Sequence, residues 1–337
     1  MPDGHTAGII PRLPADLGPL ESWLEDKMAA RKVSVRAAVL LPGGAVQRNW
    51  RLDIDADGQV RPLVLRVGPD LPLPESLSKD QEFEVLQHVH AAGVPVPTPL
   101  WVEPTETLIG RAFLVSEFSA GDADRQKLFA RPDNDSVLLQ LGSALAQTHG
   151  AGIPAGLMPE TPRDRVETLQ EWACGLESLP RGLIAGLDWL DVNAPEPVVP
   201  TLVHRDFRTG NFLIADDRLV AVLDWEFAGA GDPLEDIGWF CAACWRGDNP
   251  TREAGGLGER PVFLTAYAYA KAGGQTPEPE PERIYFWEVF AHIRWALIAM
   301  QQALRAAAGE YPDWELKEAG NRVPGLSKVI SKMVSGR

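Results

Sequence analysis

Between Leu202 and Trp225 the chain reads LVHRDFRTGNFLIADDRLVAVLDW, and one spacing in this stretch constrains the fold more than any other feature. His204-Arg205-Asp206 is followed by Asn211 five positions after Asp206, and by Asp224 thirteen positions after Asn211. Val220 to Leu223 is an apolar run after Asp216-Asp217, the pattern of a strand pair that sets Asp224 at a strand end. Phosphoryl transfer from magnesium-ATP needs these residue types. One carboxylate accepts or orients the proton of the attacking hydroxyl, while an amide oxygen and a second carboxylate ligate magnesium. Magnesium is hard, takes oxygen donors and keeps waters, so two protein ligands plus phosphates suffice. Arg208, two residues after Asp206, is placed to neutralise a transferring phosphoryl group.

The rest of the chain has to build a cleft around that stretch. Its 337 residues leave room for about two domains or lobes. Apolar residues make up 45% and charged residues 23%, which excludes a disordered, collagen-like or fibrous chain. A net charge of −15 argues against a sequence-independent nucleic-acid binder, which needs basic stripes. It does not exclude nucleotides, which a few placed groups hold. With no basic start followed by an apolar run, and no stretch approaching about 18 apolar residues, neither a signal peptide nor a membrane span is expected. Cys174, Cys241 and Cys244 do not make a disulfide framework, so the cytoplasm is the simplest address. Cys241-Ala242-Ala243-Cys244 lacks the second ligand pair of a zinc site, and its aromatic neighbours read as a buried helix. A redox or metal protein built on that pair is the rival from another class.

Leu17 to Ala30 has helical spacing. Val46 to Ile54 and Pro62 to Val67 read as strands joined at Asp57-Gly58, a hairpin signal. Ser78 to Ala92 reads as a helix with Phe83, Leu86, Val89 and His90 on one side, and Ala112 to Phe118 as a strand. After Gly121 the character turns helical: Leu138 to His149, then Glu282 to Ala308, the longest pattern. Trp287, Trp295, His149 and His292 read as packed residues of these helices. An α+β chain is expected, with a small antiparallel, strand-rich N-lobe over 1–118 and a larger, mainly helical C-lobe over 119–337.

HRDFRTGN, LDWEFAGAGDPLED and the upstream LVLR, LPESLSKDQEFEVLQ and VPVPTPLWV resemble the aminoglycoside phosphotransferase/choline kinase superfamily. Within it they look like the branch that includes the kinase-like domains of certain acyl-CoA dehydrogenase proteins. Arg205 stands where those small-molecule kinases often carry Gly, so this tripeptide has the protein-kinase form. The resemblance covers about residues 35 to 245. It implies a two-lobed protein-kinase-like fold with ATP and Mg2+ in the cleft. Asp206 becomes the catalytic base, and Asn211 and Asp224 the magnesium ligands. Arg66 occupies the strand position where kinases usually carry a phosphate-gripping Lys; Arg keeps the charge and binds phosphate bidentately. Glu82 matches the Glu that pairs with that cation, with Glu84 the competing choice. Gly43-Gly44 falls where a phosphate-covering loop belongs, but an ordinary turn fits it equally. Glu117-Phe118 would form the hinge that reads adenine through backbone groups.

Asp232 before Pro233 reads as a helix N-cap. The resemblance to kinases implies that Asp236 braces the catalytic loop through backbone N–H groups. Glu226 either reaches a metal through water or faces solvent. The resemblance implies a small-molecule hydroxyl as acceptor, and its narrower branch a metabolic alcohol or hydroxyacyl thioester before an aminoglycoside. A nucleotide-binding pseudokinase is the alternative. Oligomeric state is not legible.

Overall fold

The computed structural model describes residues 13–42, 47–68, 73, 75–271, 280–307 and 319–335. Helix α1 (Gly18–Met28) leads into strands β1 (Val33–Leu40), β2 (Arg48–Ala56) and β3 (Gln59–Val67). Helix α2 (Lys79–Ala91) follows, then β4 (Pro99–Glu103) and β5 (Phe113–Glu117). The strands form one antiparallel sheet in the order β1-β2-β3-β5-β4. At the β2–β3 turn Asp57 and Gly58 have φ of 50° and 88°, both left-handed, and Ala56 pairs with Gln59. This is the conformation for which an Asp-Gly pair is selected in two-residue hairpins.

Alternation assigns the faces. Leu63, Leu65 and Val67 point to one side of β3, where Leu20 and Leu24 of α1 close a core with Leu52, Ile54, Phe113 and Val115. Arg66 therefore points to the other side, toward α2. Strand β1 was not evident in the sequence because a bulge between Val35 and Ala37 breaks its alternation and most of its side chains stay partly or fully exposed. On α2 the buried face is Glu82, Phe83, Val85, Leu86 and Val89; His90 is exposed, against the expectation for that helix.

The remaining chain is mainly helical. Helices α3 (Arg125–Phe129), α4 (Asp135–Gly150), α5 (Pro162–Cys174) and α6 (Arg181–Asn193) precede β6 (Thr201–Val203), β7 (Phe212–Ala215), β8 (Arg218–Val222) and β9 (Gly229–Gly231). Then come α7 (Leu234–Cys241), α8 (Arg260–Lys271), α9 (Pro281–Ala307) and α10 (Val323–Val334). β6 pairs with β9 and β7 with β8, so these two ribbons hold Asp206 and Asp224 in the loops at their ends. Phe207, Phe212, Phe240 and Phe263 pack beneath, with neighbouring ring centroids 4.7–5.6 Å apart. The antiparallel sheet and the helical part together are the two-part α+β architecture expected from the sequence. Among the described residues no helix is long and apolar enough to cross a membrane.

Gly238 lets α7 and α9 approach. A Cβ there would lie 2.4 Å from Trp287 Cβ and 2.6 Å from its backbone carbon. Gly238→Ala is expected to cost about 1–3 kcal/mol by overpacking. Urea unfolding measures it, and an unchanged midpoint would contradict this account of the helix contact.

Candidate active site

The loop between β6 and β7 is held from below by a buried carboxylate. Asp236, in the first turn of α7, accepts the backbone N–H groups of His204 (2.8 Å) and Arg205 (2.6 Å). It also accepts His149 Nε2 (3.0 Å), while the other ring nitrogen of His149 meets the Tyr267 hydroxyl at 2.9 Å. Burial pulls the His149 pKa down, so this histidine is neutral. His204 donates Nε2 to the Leu223 carbonyl (3.0 Å) and takes the Asp206 N–H on Nδ1 (3.1 Å), joining the two site loops. Arg205 and Asp224 have φ of 63° and 68°. Left-handed backbone of this kind is sparsely populated outside glycine and is retained where neighbours hold it.

His292 of α9 is likewise buried and drawn down to about 4, by burial first. Both histidines are neutral when folded and take protons more readily when unfolded. Their contribution to stability is full above the unfolded value, about 6.5, and is lost as pH falls toward the folded values. Glu226, raised to about 7 by burial, acts in the opposite direction in both proteins, so the expected result is that between about pH 6.5 and 4 the unfolding free energy of the wild type falls relative to that of His292→Gln. Equal slopes in urea titrations of the two proteins would contradict it.

Asp206 is fully directed. Oδ1 accepts Arg208 Nε (3.0 Å) and Trp239 Nε1 (3.1 Å), and Oδ2 accepts Asn211 Nδ2 (2.7 Å). Asn211 Nδ2 also bonds the Asp206 carbonyl at 2.9 Å. The amide nitrogen is thus committed to Asp206. The Asn211 amide oxygen accepts no hydrogen bond among the described residues and is left for a cation.

Across the cleft, Arg66 Nε lies 2.8 Å from Glu82 Oε1, and its Nη2 bonds Asp224. Glu84 is exposed, which settles the choice in favour of Glu82. Burial pushes the Asp224 carboxyl up, but Arg66 outweighs it and holds the group below the usual range. A cation already stands on this carboxylate. With the Asn211 amide oxygen it offers the hard oxygen donors that magnesium takes, so these residues fit the ion.

Two residues absent from the sequence reading complete this side. Lys79 Nζ is 2.5 Å from Glu82 Oε2 and also bonds Gln47. Gln47 donates Nε2 to Glu226 (2.6 Å), which also accepts Ser76 Oγ (3.2 Å). Glu226 is therefore buried rather than solvent-facing; burial, with Asp224 nearby, pushes it up to about 7. Asp232 caps less simply than expected. It accepts the Leu234 N–H (2.9 Å), α7 starts one residue later than Pro233, and its other oxygen takes Arg283 Nε (2.6 Å) and Trp287 Nε1 (2.9 Å). Glu117 closes β5 with its N–H on the Thr98 carbonyl (3.0 Å), and Phe118 carries the Arg51 guanidinium 4.6 Å from its ring centroid. Gly43 and Gly44 lie outside the described residues.

Beside Asp206 stands an aromatic wall. Trp239 and Trp245 have centroids 5.0 Å apart, Trp245 and Trp295 4.9 Å apart, and Arg208 sits 5.1 Å over Trp245. Trp239 was missed as a site residue because a tryptophan three positions after Asp236 reads as core; only its indole N–H on Asp206 separates it from one. Burial pushes the Cys241 thiol up to about 12 and Cys244 higher still, so neither presents a thiolate near neutral pH.

Mouse (Mus musculus) acyl-CoA dehydrogenase family member 10 is 28% identical over 197 residues, 54% of this chain and 18% of that protein. Chicken (Gallus gallus) acyl-CoA dehydrogenase family member 11 is 30% identical over 209 residues, 57% of this chain and 26% of that protein. The chain thus matches about a quarter or less of the length of these relatives. Two solved structures share the fold. One, from Ralstonia eutropha JMP134 and provisionally assigned as an aminoglycoside phosphotransferase, aligns with a TM-score of 0.71 at 19% identity, over 96% of this chain and 99% of that one. The other is a thermostable mutant of the aminoglycoside phosphotransferase APH(4)-Ia in a ternary complex with AMP-PNP and hygromycin B; it aligns with a TM-score of 0.63 at 19% identity, over 95% of this chain and 100% of that one. The model of the phosphotransferase enzyme family matches residues 38–273, which takes in both ribbons and the sheet from the end of β1 onward, and the chain belongs to that family.

Proposed function

We propose that the chain transfers the γ-phosphoryl group of magnesium-ATP to a hydroxyl of a small molecule. The observation that carries this reading is the fixed Asp206 carboxylate, with Asn211 behind it and Arg208 beside it. Asp206 receives the acceptor proton as the acceptor oxygen bonds phosphorus and the bond to the leaving nucleotide oxygen breaks. Arg208 and Arg66 meet the negative charge on the phosphoryl oxygens. Asn211 and Asp224 would hold magnesium, which supplies charge neutralisation on the phosphates when bound. Glu82 and Lys79 fix Arg66 for its contact. The Glu117-Phe118 segment borders the place for the base.

The acceptor side is aromatic, formed by Trp239, Trp245 and Trp295, with the partly exposed Arg208 over Trp245 as its cation. Such a wall suits an acceptor with an apolar body and negative charge, a hydroxyacyl thioester or metabolic alcohol, better than a polycationic aminoglycoside. The likeness to acyl-CoA dehydrogenase family members supports the same choice. The free cysteines and the ATP requirement fit a cytoplasmic protein, and the acidic surface fits one without a nucleic-acid partner.

The test is ATP-dependent phosphorylation across aminoglycosides, amino alcohols, sugars and hydroxyacyl-CoA thioesters, each beside Asp206→Ala. Turnover is expected on the anionic or neutral apolar acceptors and absent in the variant. Turnover confined to aminoglycosides would overturn the acceptor class. Magnesium-dependent ATP binding with no turnover on any acceptor would favour the pseudokinase.

A further inference from the structure

Leu73 and Glu75, which precede α2, both meet the helical part. Leu73 packs there against Phe227 and Ile298, flanked by Trp172 and Trp295. Glu75 is buried between two arginines from different helices. One oxygen bonds Arg165 Nη1 of α5; the other accepts Arg294 Nε of α9 at 3.1 Å, with Arg294 Nη2 3.0 Å away. Burial pushes the Glu75 carboxyl up, but Arg165, Arg294 and Arg205 outweigh it and hold it down at about 2. The cluster is balanced. Arg165 also forks onto Glu235 (3.1 and 2.9 Å), and Arg205 pairs with Glu160 (2.5 Å).

Arg294 has three further contacts, two of which lead to Asp206 and one to the loop after Asp224. Its Nη1 donates to the backbone carbonyl of Arg205, the residue before Asp206, at 2.7 Å. Its guanidinium lies 4.6 Å from the ring centroid of Trp239, whose indole N–H is on Asp206. It lies 5.3 Å from that of Phe227, in the loop that follows Asp224. Arg294 is 1% exposed, so all this is out of solvent, where a charge without its partner is expensive. The Glu75 carboxylate is the acid that balances it.

We propose that Glu75 and Arg294 are a positioning pair that couples the nucleotide-side sheet to the catalytic loop, Arg294 setting the backbone and the indole that aim Asp206. The role in turnover rests on the phosphotransferase reading above; the coupling to the loop does not. Neither residue touches the reacting atoms. Glu75 stands four residues before Lys79, the start of α2, whose Glu82 pairs with Arg66, and ties that end of α2 to Arg294 of α9, so a nucleotide seated on Arg66 meets a carboxylate already in place.

The full chain and its Glu75→Gln, Trp239→Phe and double variants supply the test. Hydrogen exchange by mass spectrometry reads the His204, Arg205 and Asp206 amides directly. In Glu75→Gln these are expected to exchange at least about tenfold faster while α4 and α8 keep wild-type protection. ATP affinity with magnesium, by calorimetry, is expected to stay within about threefold, while turnover falls about tenfold or more. Magnesium-dependent ATP hydrolysis by water serves for turnover, because it needs no acceptor. The double variant is expected to lose little more than the worse single variant, since both losses run through Trp239 and Asp206. Losses that multiply, or unchanged exchange at residues 204–206, would overturn the proposal. Glu75→Asp keeps the charge, shortens the reach and supports the same comparison if Glu75→Gln does not fold. A wild-type chain that neither binds nor turns over magnesium-ATP would sink the phosphotransferase reading, and the exchange comparison would still decide the coupling.

Discussion

Asp206→Asn is expected to lower phosphoryl transfer by about a thousandfold or more while magnesium-ATP affinity stays within about threefold. In the phosphotransferase reading proposed above the carboxylate takes the acceptor proton, and an amide cannot accept it. The geometry adds a second penalty. Asp206 is an acceptor on both oxygens, to Arg208 and Trp239 on one and to Asn211 on the other. An amide at this position has one oxygen, so in either orientation its nitrogen faces a donor. The loop itself is held through the backbone by Asp236, independently of the Asp206 side chain. The fold and the nucleotide side are therefore expected to survive. Asp206→Ala, which removes the donor clash, is expected to show the same loss of transfer. Activity in Asp206→Ala within about tenfold of wild type would mean that another group takes the proton.

Asp224→Asn is expected to have an effect of similar size by a different route. Its charge is what Arg66 holds, and it is the carboxylate of the oxygen pair that fits magnesium. Removing the charge leaves Arg66 with Glu82 alone and weakens the cation site. Transfer is expected to fall by about a thousandfold or more, as in Asp206→Asn. The two variants separate in binding. Asp224→Asn is expected to bind ATP at least about tenfold more weakly in magnesium, and with little response to magnesium at all. Calorimetric titrations with magnesium and with a chelator measure this. Undiminished magnesium dependence in Asp224→Asn would move the metal site elsewhere.

Much of the site was legible because its parts are local. Asp206, Asn211 and Asp224 lie within one short stretch, and the structure puts Asn211 on Asp206 and joins the Asp206 loop to Leu223, next to Asp224, through His204. The β2–β3 hairpin was legible from Asp57-Gly58, since few residues tolerate two left-handed positions in succession. What was not legible is set by contacts distant in sequence. Gln47 and Glu226 are 179 residues apart, and Glu75 and Arg294 are 219 apart. Nothing in PLPESL or in HIRWAL announces that a glutamate and an arginine will meet. Strand β1 was hidden by its bulge, and Trp239 by the ordinary frequency of tryptophan in cores. Glu226 shows the limit from the other side. Its position two after Asp224 suggested metal through water or solvent, and burial against Gln47, the residue before β2, excludes the solvent-facing choice.

The most direct test of phosphoryl transfer follows the phosphorus atom. ATP labelled in its γ-phosphate is incubated with magnesium, the wild-type chain and hydroxyl acceptors of each class, beside Asp206→Ala, and the products are resolved by mass spectrometry. The account predicts label on the oxygen of one acceptor class with the wild type and none with the variant. Label that appears on an acceptor at the same rate with Asp206→Ala, or on no acceptor while magnesium-ATP binds normally, would contradict it.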